Sequence, residues 1–330
     1  MLLSWNTTNQ CNLYCDHCYR EAGCKVEDEL STNEAKELLR EAVKAGFRLF
    51  IFSGGEPLMR PDILELTAYA VQVGLKPVFG SNGTLLTPEL ARELKKAGAA
   101  AIGISLDSMD PGRHDALRRK EGAWEKAVAG MEACRAAGLP FQVHTTVFDW
   151  NRFELEKITD FAVRIGARGH HFFFLVPTGR AKSLEEESLR AEQYEETLER
   201  ILTRQQQVPI ELKPTCAPQF MRIAKQMGLD LRYGRGCLAG IAYALVNPRG
   251  EVQPCAYLPL SLGNVREIPF SRLWAENEDL KRLRSMEYGG GCGCCAFKKV
   301  CGGCRARAYY YHGDYMAEEP WCLYHGRKGF

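Results

Sequence analysis

The sequence predicts an α/β protein in which a partial TIM-type (β/α)6 barrel, residues 1–205, precedes a smaller cysteine-rich domain, residues 206–330. Short apolar runs alternate six times with amphipathic stretches up to about residue 202, which is the pattern of a parallel sheet with right-handed helical crossovers. That alternation stops after residue 205, and most of the fourteen cysteines follow this point. Six units are too few to close an eight-fold barrel, so we expect an open one.

The elements of the barrel can be assigned in chain order. Strands are predicted at residues 2–8, 47–52, 76–80, 100–106, 141–147 and 170–176. Helices are predicted from the cap sequence 31–34 to Gly46, and at 61–73, 87–97, 123–137, 153–165 and 189–202. Thr87 and Pro88 are typical of a helix cap and of the first helical position after it. Beyond residue 205 we expect little helix and one hairpin, formed by 242–247 and 251–254.

Composition excludes several classes of protein. The formal net charge is only +2, which is not typical of a protein that binds nucleic acid or a membrane surface. The apolar stretches are short and strand-like, so no membrane-spanning helix is predicted, and the first residues do not resemble a signal peptide. We therefore expect a cytoplasmic protein whose cysteines hold metal or redox cofactors and do not form a disulfide framework.

A loop after the first predicted strand carries Cys11, Cys15 and Cys18 at a C-x3-C-x2-C spacing. Three thiolates on one short loop can bind three irons of a cubane iron–sulfur cluster and leave the fourth iron open to a substrate or cosubstrate. A structural zinc site, with Cys24 as the fourth ligand, is the alternative. The turn 53–57, Ser-Gly-Gly-Glu-Pro, lies at the C-terminal end of the second strand, where barrels of this type carry their chemistry.

The cysteine spacing, the segment 5–20 around it and the Gly-Gly-Glu turn one βα unit later resemble the signature of the radical S-adenosylmethionine (radical SAM) enzymes. The resemblance implies a catalytic [4Fe–4S] cluster on the three cysteines, with S-adenosylmethionine bound at its open iron. It also implies contacts to the cosubstrate from the ends of several strands. These are the backbone of Gly54, Gly55 and Glu56 at the methionine amine, Asn82 or Thr84 at the ribose, Ser105, Arg118 at the carboxylate, and Leu175 beside the adenine.

The C-terminal cysteines resemble the SPASM extension of radical SAM enzymes, which holds auxiliary iron–sulfur clusters. The resemblance implies one or two auxiliary [4Fe–4S] clusters, with two expected, and so a C-terminal cysteine-rich iron–sulfur domain. One cluster would be bound by Cys292, Cys295, Cys301 and Cys322, and the other by Cys237, Cys255, Cys304 and, as a candidate fourth ligand, Cys216. The Cys301-x2-Cys304 spacing departs from the usual three intervening residues. Two zinc sites are the alternative, and Cys24, Cys134 and Cys294 are left over, with Cys134 expected to pack in a helix.

Nearly the whole chain resembles the tetrapyrrole branch of the radical SAM enzymes, which acts on siroheme-derived substrates in heme d1 and alternative heme biosynthesis. The segments 5–20 and 301–322 carry this likeness. The resemblance implies an oxidoreductase or lyase that abstracts a hydrogen atom at a propionate or acetate side chain, with a ferredoxin or flavodoxin as electron donor. Candidates to pair with substrate carboxylates or to stack on the ring are Arg20, Arg180, Arg305, Arg307, Tyr19 and Tyr309 to Tyr311.

Two other functions stay open. One is a maturase of a ribosomally made peptide, since such enzymes share both domains. The first strand begins near residue 2, so we do not expect the N-terminal peptide-recognition module that many maturases have. The other is a non-catalytic iron–sulfur or zinc carrier, which would have no use for an amine-binding Gly-Gly-Glu turn.

Three histidines lie where they can take part in chemistry. His17 stands where the radical SAM family often has an aromatic residue, and its ring can take the same place beside the adenine. His170 and His171 are adjacent on one strand and must face opposite ways, so one of them faces the barrel interior. A hydrogen-bonded core histidine is the more common outcome, and a substrate or proton-transfer role is the alternative.

Overall fold

The computed structural model describes residues 1–324, and its centre is one nine-stranded sheet in the order β7-β6-β5-β4-β3-β2-β1-β8-β9. All neighbouring strands pair in parallel except β8 and β9, which form an antiparallel hairpin. Within the described range β7 and β9 are the sheet edges, so the barrel is open as predicted. The strands are β1 (Leu2–Asn6), β2 (Leu49–Ser53), β3 (Lys76–Ser81), β4 (Ala101–Ser105), β5 (Phe141–Val147), β6 (Gly169–Phe174), β7 (Glu211–Thr215), β8 (Tyr243–Val246) and β9 (Val252–Gln253).

Helices connect the parallel strands and continue into the C-terminal region. In chain order they are α1 (Thr32–Lys44), α2 (Ile63–Gln72), α3 (Pro88–Ala97), α4 (Pro111–Arg118), α5 (Ala123–Ala137), α6 (Leu155–Ile165), α7 (Ala191–Gln205), α8 (Phe220–Gln226), α9 (Phe270–Glu276), α10 (Glu278–Ser285), α11 (Gly290–Gly293) and α12 (Arg305–His312). Two 3-10 helices lie at Pro57–Met59 and Gly179–Glu187. Among the described residues no helix is both long and apolar enough to cross a membrane.

The predicted helix starts are confirmed by their caps. Ser31 and Glu34 form a reciprocal capping box at the start of α1, with Ser31 N donating to Glu34 Oε2 at 2.8 Å. At α3 the Thr87 hydroxyl accepts a hydrogen bond from Leu90 N at 3.2 Å, and Pro88 fills the first turn. These local signals explain why the predicted helices of the barrel start within two residues of the observed ones. α7 runs three residues beyond its predicted end, and the short helix α4 was not predicted.

The two faces of a barrel strand differ in burial. In β5 the side chains of Phe141, Val143, Thr145 and Val147 are buried, whereas the side chains between them are only partly buried. The buried set packs into the main hydrophobic core, and the alternate set lines the inside of the barrel. The inner face is therefore the place to look for binding groups.

The sheet continues beyond residue 205, where the alternation in the sequence ends. Strand β7 pairs with β6 and strand β8 pairs with β1, both in parallel, so the C-terminal region extends both sides of the barrel. β7 carries Glu211 and Lys213 on one face and Pro214 on the other, so its sequence contains no apolar run that would predict a strand. A proline is tolerated there because β7 is an edge strand. The division of domains at residue 205 stays a prediction.

The expectation of little helix after residue 205 is wrong. Five helices, α8 to α12, lie there, and each has only four to eight residues. Helices this short give too few turns for a hydrophobic period to stand out. The predicted hairpin is confirmed as β8 and β9.

Candidate functional site

The first cysteine loop folds at the C-terminal end of β1 and brings its three thiols together. Cys15 is buried, and Cys11 and Cys18 are half-buried. Burial raises the pKa of Cys11 to about 12, and the charges of the other two thiols act in the same direction. Backbone N–H groups point at the sulfurs, with Leu13 N at 3.4 Å from Cys11 Sγ and Ala22 N at 3.4 Å from Cys18 Sγ. Thiolates crowded in this way favour a cationic centre that neutralises them.

The Gly-Gly-Glu turn is hydrogen-bonded to the segment that leads into this loop. Gly55 N donates to Thr8 O and Glu56 N donates to Gln10 O, both at 2.8 Å. A Cβ on Gly54 would lie 2.6 Å from Thr8 O, and a Cβ on Gly55 would lie even closer to Gln10 O. Only glycines allow this approach, and Gly54 also has a φ of 129°.

The same turn has the acceptors that an amine requires. Within residues 1–324 the carbonyls of Gly54 and Gly55 accept no hydrogen bond. An ammonium group has three donors and no acceptor, so free carbonyls next to the cysteine loop fit the methionine amine of S-adenosylmethionine.

The Glu56 side chain stabilises the turn by hydrogen bonds to the end of β3. It is fully buried and accepts hydrogen bonds from Ser81 Oγ and Asn82 N, both at 2.8 Å. Burial raises the pKa of Glu56 to about 7 despite these bonds. Its side chain therefore fixes the end of β3 and is not exposed to a ligand.

Asn82 belongs to a hydrogen-bonded group that also reaches the cysteine loop. Its amide nitrogen donates to Asn12 Oδ1 at 2.9 Å and lies 3.9 Å from Cys11 Sγ, and its oxygen accepts from the Thr84 hydroxyl at 2.7 Å. Asn12 in turn donates to Thr84 Oγ1 at 2.8 Å. Sequence reasoning did not single out Asn12, although it follows the first cysteine directly.

Arg118 lies against the cysteine loop and is paired with Asp107. The Arg118 Nη2 atom is 2.6 Å from Asp107 Oδ2, and its other terminal nitrogen is 3.8 Å from Cys15 Sγ. Burial acts to raise the pKa of Asp107, but the Arg118 guanidinium outweighs it and holds that pKa at about 2. The pair places a fixed positive group beside the thiols. Asp107 was missed from the sequence, because only folding brings it to Arg118.

Ser105 ends β4 and Leu175 directly follows β6, with β5 between the two strands. The Ser105 hydroxyl is half-buried and donates to Ser81 O at 3.4 Å. Leu175 is buried in a small apolar cluster with Leu117 and Phe148. His17 meets the same cluster, with its ring centroid 5.9 Å from that of Phe148. Contacts from Ser105, Leu175 and His17 to a cosubstrate stay predictions.

A second group of cysteine thiols lies near the C-terminal end of β7. Cys216 follows that strand with a φ of 59°, and burial raises its pKa well above the usual range. The charges of Cys304, Cys255 and Cys237 raise it further, so the four thiols share one neighbourhood. We call Cys216, Cys237, Cys255 and Cys304 the inner cysteine set.

A third set lines a pocket farther toward the C-terminus. Its walls include Cys292, Cys295, Cys301 and Cys322, which we call the outer cysteine set. Backbone N–H groups approach these sulfurs, among them Glu319 N at 3.3 Å from Cys292 Sγ. Among residues 1–324 no three His, Cys, Asp or Glu side chains form a group able to hold a single metal ion. The remaining cysteines lie elsewhere, with Cys24 and Cys294 exposed and Cys134 buried on α5.

Three of the four arginines expected to bind substrate have structural partners. Arg305 is buried and donates to Tyr315 O and Ala317 O. Arg307 is fully buried in an ion pair with Glu319 at 2.7 Å. These two expectations are wrong, because both guanidiniums are enclosed and satisfied.

Arg180 is also used by the fold. It donates to the backbone oxygens of Cys15 and Ala22, both at 2.8 Å, and stacks on Tyr14 at 4.0 Å. It therefore ties the 3-10 helix after β6 to the first cysteine loop. Of the four candidates, only Arg20 keeps an uncommitted guanidinium within the described residues.

Tyr19, Tyr243 and Tyr257 lie together between the first cysteine loop and the inner cysteine set. Tyr19 donates to Asn6 Oδ1 at 3.0 Å, and its ring lies 5.0 Å from the ring of Tyr257. Burial raises the pKa of Tyr19 to about 12, and raises those of Tyr243 and Tyr257 well above the usual range. The charge of Cys255 raises the pKa of Tyr243 and Tyr257 further. All three side chains are nevertheless only half-buried, so each keeps accessible surface, and we call the region that Tyr19, Tyr243 and Tyr257 border the tyrosine chamber.

The two adjacent histidines take different roles. His170 is fully buried between Thr145 Oγ1 at 2.7 Å and Thr159 Oγ1 at 2.9 Å, which confirms a hydrogen-bonded core histidine. Burial lowers its pKa to about 3. His171 faces the barrel interior and stacks on His144 with ring centroids 5.2 Å apart.

Comparisons with known proteins agree with this arrangement. A family model of the radical SAM superfamily matches residues 5–162, and one of an iron–sulfur cluster-binding domain, SPASM, matches residues 237–305. An AdoMet-dependent heme synthase of Nitratidesulfovibrio vulgaris is 43% identical over 99% of this chain and 93% of its own length. An Fe-coproporphyrin III synthase of Methanosarcina barkeri is 32% identical over 96% of this chain and 86% of its own. Streptococcus suis SuiB bound to S-adenosylmethionine shares the fold, with a TM-score of 0.78 at 16% identity over 98% of this chain and 77% of that one.

Proposed function

The chain belongs to the radical SAM superfamily and carries a SPASM domain, with [4Fe–4S] clusters and S-adenosylmethionine as cofactors, and on this premise we propose that it is a heme synthase. In this proposal it converts two propionate side chains of an iron-coproporphyrin into the vinyl groups of heme. The observation that carries the proposal is the tyrosine chamber. Tyr19 follows Cys18 of the first cysteine loop, and its ring meets that of Tyr257, which lies near Cys216 and Cys255 of the inner cysteine set.

The cluster ligands in this proposal follow the three groups of thiols. Cys11, Cys15 and Cys18 bind the cluster that receives S-adenosylmethionine. The inner and outer cysteine sets each bind an auxiliary cluster, with Cys216 completing the inner one. The crowding of Cys216 with Cys237, Cys255 and Cys304 supports four ligands at the inner site. The pocket walls support the same number at the outer site.

The cofactor contacts are proposed residue by residue. The Gly54 and Gly55 carbonyls accept the methionine amine, and Arg118 meets the carboxylate with the face that Asp107 leaves free. Asn82 and Ser105 hold the cosubstrate from the ends of β3 and β4. The Glu56 carboxylate acts by positioning the turn, since it is fully enclosed, and the contact proposed for Glu56 is that of its backbone.

For each side chain the reaction must remove one hydrogen atom and the carboxylate, as CO2, and must release one electron. S-adenosylmethionine supplies a 5′-deoxyadenosyl radical when one electron cleaves it. A hydrogen atom would be taken from the propionate carbon next to the ring. The bond between the neighbouring carbon and the carboxylate would then break, which releases CO2 and one electron and leaves a vinyl group. An auxiliary cluster held by the inner cysteine set would accept that electron.

The protein supplies an uncharged aromatic wall for these steps. Tyrosine hydroxyls are protonated at neutral pH, and burial raises the pKa of Tyr19, Tyr243 and Tyr257 further, so the chamber walls carry no tyrosinate charge. Aromatic walls suit a flat macrocycle. A small ferredoxin or flavodoxin in a reducing cytoplasm is the proposed electron donor.

The direct test is anaerobic turnover with iron-coproporphyrin III, S-adenosylmethionine and a chemical reductant. Wild type should release 5′-deoxyadenosine, CO2 and heme, while a Cys11/Cys15/Cys18→Ala variant should release none. Cleavage of S-adenosylmethionine without any change in the porphyrin would favour the peptide-maturase function. No cleavage by the reduced, cluster-loaded wild type would favour a carrier.

A further inference from the structure

Arg20 follows the first cysteine loop, and its guanidinium has no partner. Within residues 1–324 it makes no hydrogen bond and no ion pair, and its Nε atom is buried. The other arginines around the loop are all engaged: Arg60 with Thr7 O, Arg118 with Asp107 and Arg180 with Cys15 O. A partly buried guanidinium without a partner is costly, and an anionic ligand would remove that cost.

Arg20 lies beside the tyrosine chamber, since it directly follows Tyr19, whose ring lies 5.0 Å from the ring of Tyr257. Asn6 lies behind the same wall: it is fully buried, its oxygen accepts from Tyr19, and its amide nitrogen has no partner among residues 1–324. Within that range no acidic side chain pairs with the half-buried Arg20, which therefore places an unneutralised cation at the chamber.

We propose that Arg20 binds a carboxylate of the tetrapyrrole and so selects and orients the substrate. The inference rests on the proposed function and adds to it the group that recognises the acid side chain. A guanidinium presents parallel N–H donors that match both oxygens of a carboxylate, which a single amide or a lysine does not. Arg20 is a specificity and positioning residue, and it takes no part in forming the radical.

Affinity for a carboxylate and for its ester separates this role from simple packing. Iron-coproporphyrin III and its tetramethyl ester are the probes, each titrated by absorbance into anaerobic, cluster-loaded enzyme without S-adenosylmethionine. For wild type we expect tighter binding of the acid. In Arg20→Met the acid should bind about 10- to 100-fold more weakly, which is the range for losing a charge-assisted hydrogen-bonded pair, while the ester binds as in wild type. Arg20→Lys should recover part of the loss.

Arg119→Met is the matched control, since Arg119 is exposed, lies near the same loop and is already paired with Asp16. It removes one positive charge and should leave both affinities unchanged. In Arg20→Met the iron content and the reductant-driven cleavage of S-adenosylmethionine without porphyrin should equal those of wild type. More 5′-deoxyadenosine should form per heme in that variant, because a misplaced side chain is attacked less often.

The outcomes separate the inference from the function beneath it. If wild type converts the porphyrin but Arg20→Met binds the acid equally well, the role of Arg20 is refuted. Equal losses of affinity for the acid and the ester would also refute it, since they indicate a change in packing. If wild type neither binds nor converts iron-coproporphyrin III, the proposed function itself fails.

Discussion

Replacing Gly55 by alanine tests how the cosubstrate turn is attached to the cysteine loop. The added Cβ would lie 2.8 Å from Asn9 O and closer still to Gln10 O, whereas carbon–oxygen contacts are ordinarily about 3.3–3.6 Å. The turn must therefore move away, and the two hydrogen bonds that hold it, Gly55 N to Thr8 O and Glu56 N to Gln10 O, are strained or lost. At about 0.5–1.5 kcal/mol each, with steric strain added, the variant should lose about 2–4 kcal/mol of stability.

The assay combines chemical unfolding of the cluster-loaded protein with S-adenosylmethionine binding by calorimetry. Gly55→Ala should unfold at lower denaturant and bind the cosubstrate at least tenfold more weakly. Gly234→Ala is the matched control, because a Cβ there meets no atom within 4 Å and the residue has no positive φ. If Gly55→Ala matches the control in both stability and binding, the turn is not held as described and the reasoning is refuted.

Two further predictions concern the core and the inner site. His170 has a folded-state pKa of about 3, well below the ordinary value of 6.5, so its contribution to stability is complete above pH 6.5 and is lost as pH falls. The free energy of unfolding should be about 1.4 kcal/mol lower at pH 5.5 than at pH 7.5 because of this residue. His170→Gln should show a correspondingly flatter dependence of unfolding free energy on pH. An unchanged pH slope would contradict this. Cys216→Ala should lower iron from about twelve per chain by about one to four, whereas Cys134→Ala, in the core of α5, should keep the wild-type iron content. Equal iron in both variants would exclude Cys216 as a ligand.

The barrel was predictable from the sequence because its signals are local. Buried strands give apolar runs, and caps such as Ser31 with Glu34 fix the starts of helices within one turn. The Gly54–Gly55 pair was recognisable too, since the need for glycine comes from close backbone approach. These features depend on neighbours a few residues away.

The parts that escaped prediction depend on distant partners. Asp107 became meaningful only through Arg118, and Arg307 was assigned to the substrate because Glu319, which neutralises it, is not marked by any pattern. Strand β7 was missed because charged residues alternate with a proline in it. An arginine in a sequence does not show whether it is enclosed, and only the fold distinguishes Arg20 from Arg307.

The central claim is that hydrogen is abstracted from a propionate of an iron-coproporphyrin. The most direct measurement is turnover of a substrate deuterated at the propionate carbons next to the ring, with mass spectrometry of the 5′-deoxyadenosine and of the porphyrin. We expect 5′-deoxyadenosine that carries one deuterium, together with loss of CO2 from two side chains to give heme. Unlabelled 5′-deoxyadenosine with an unchanged porphyrin would contradict it.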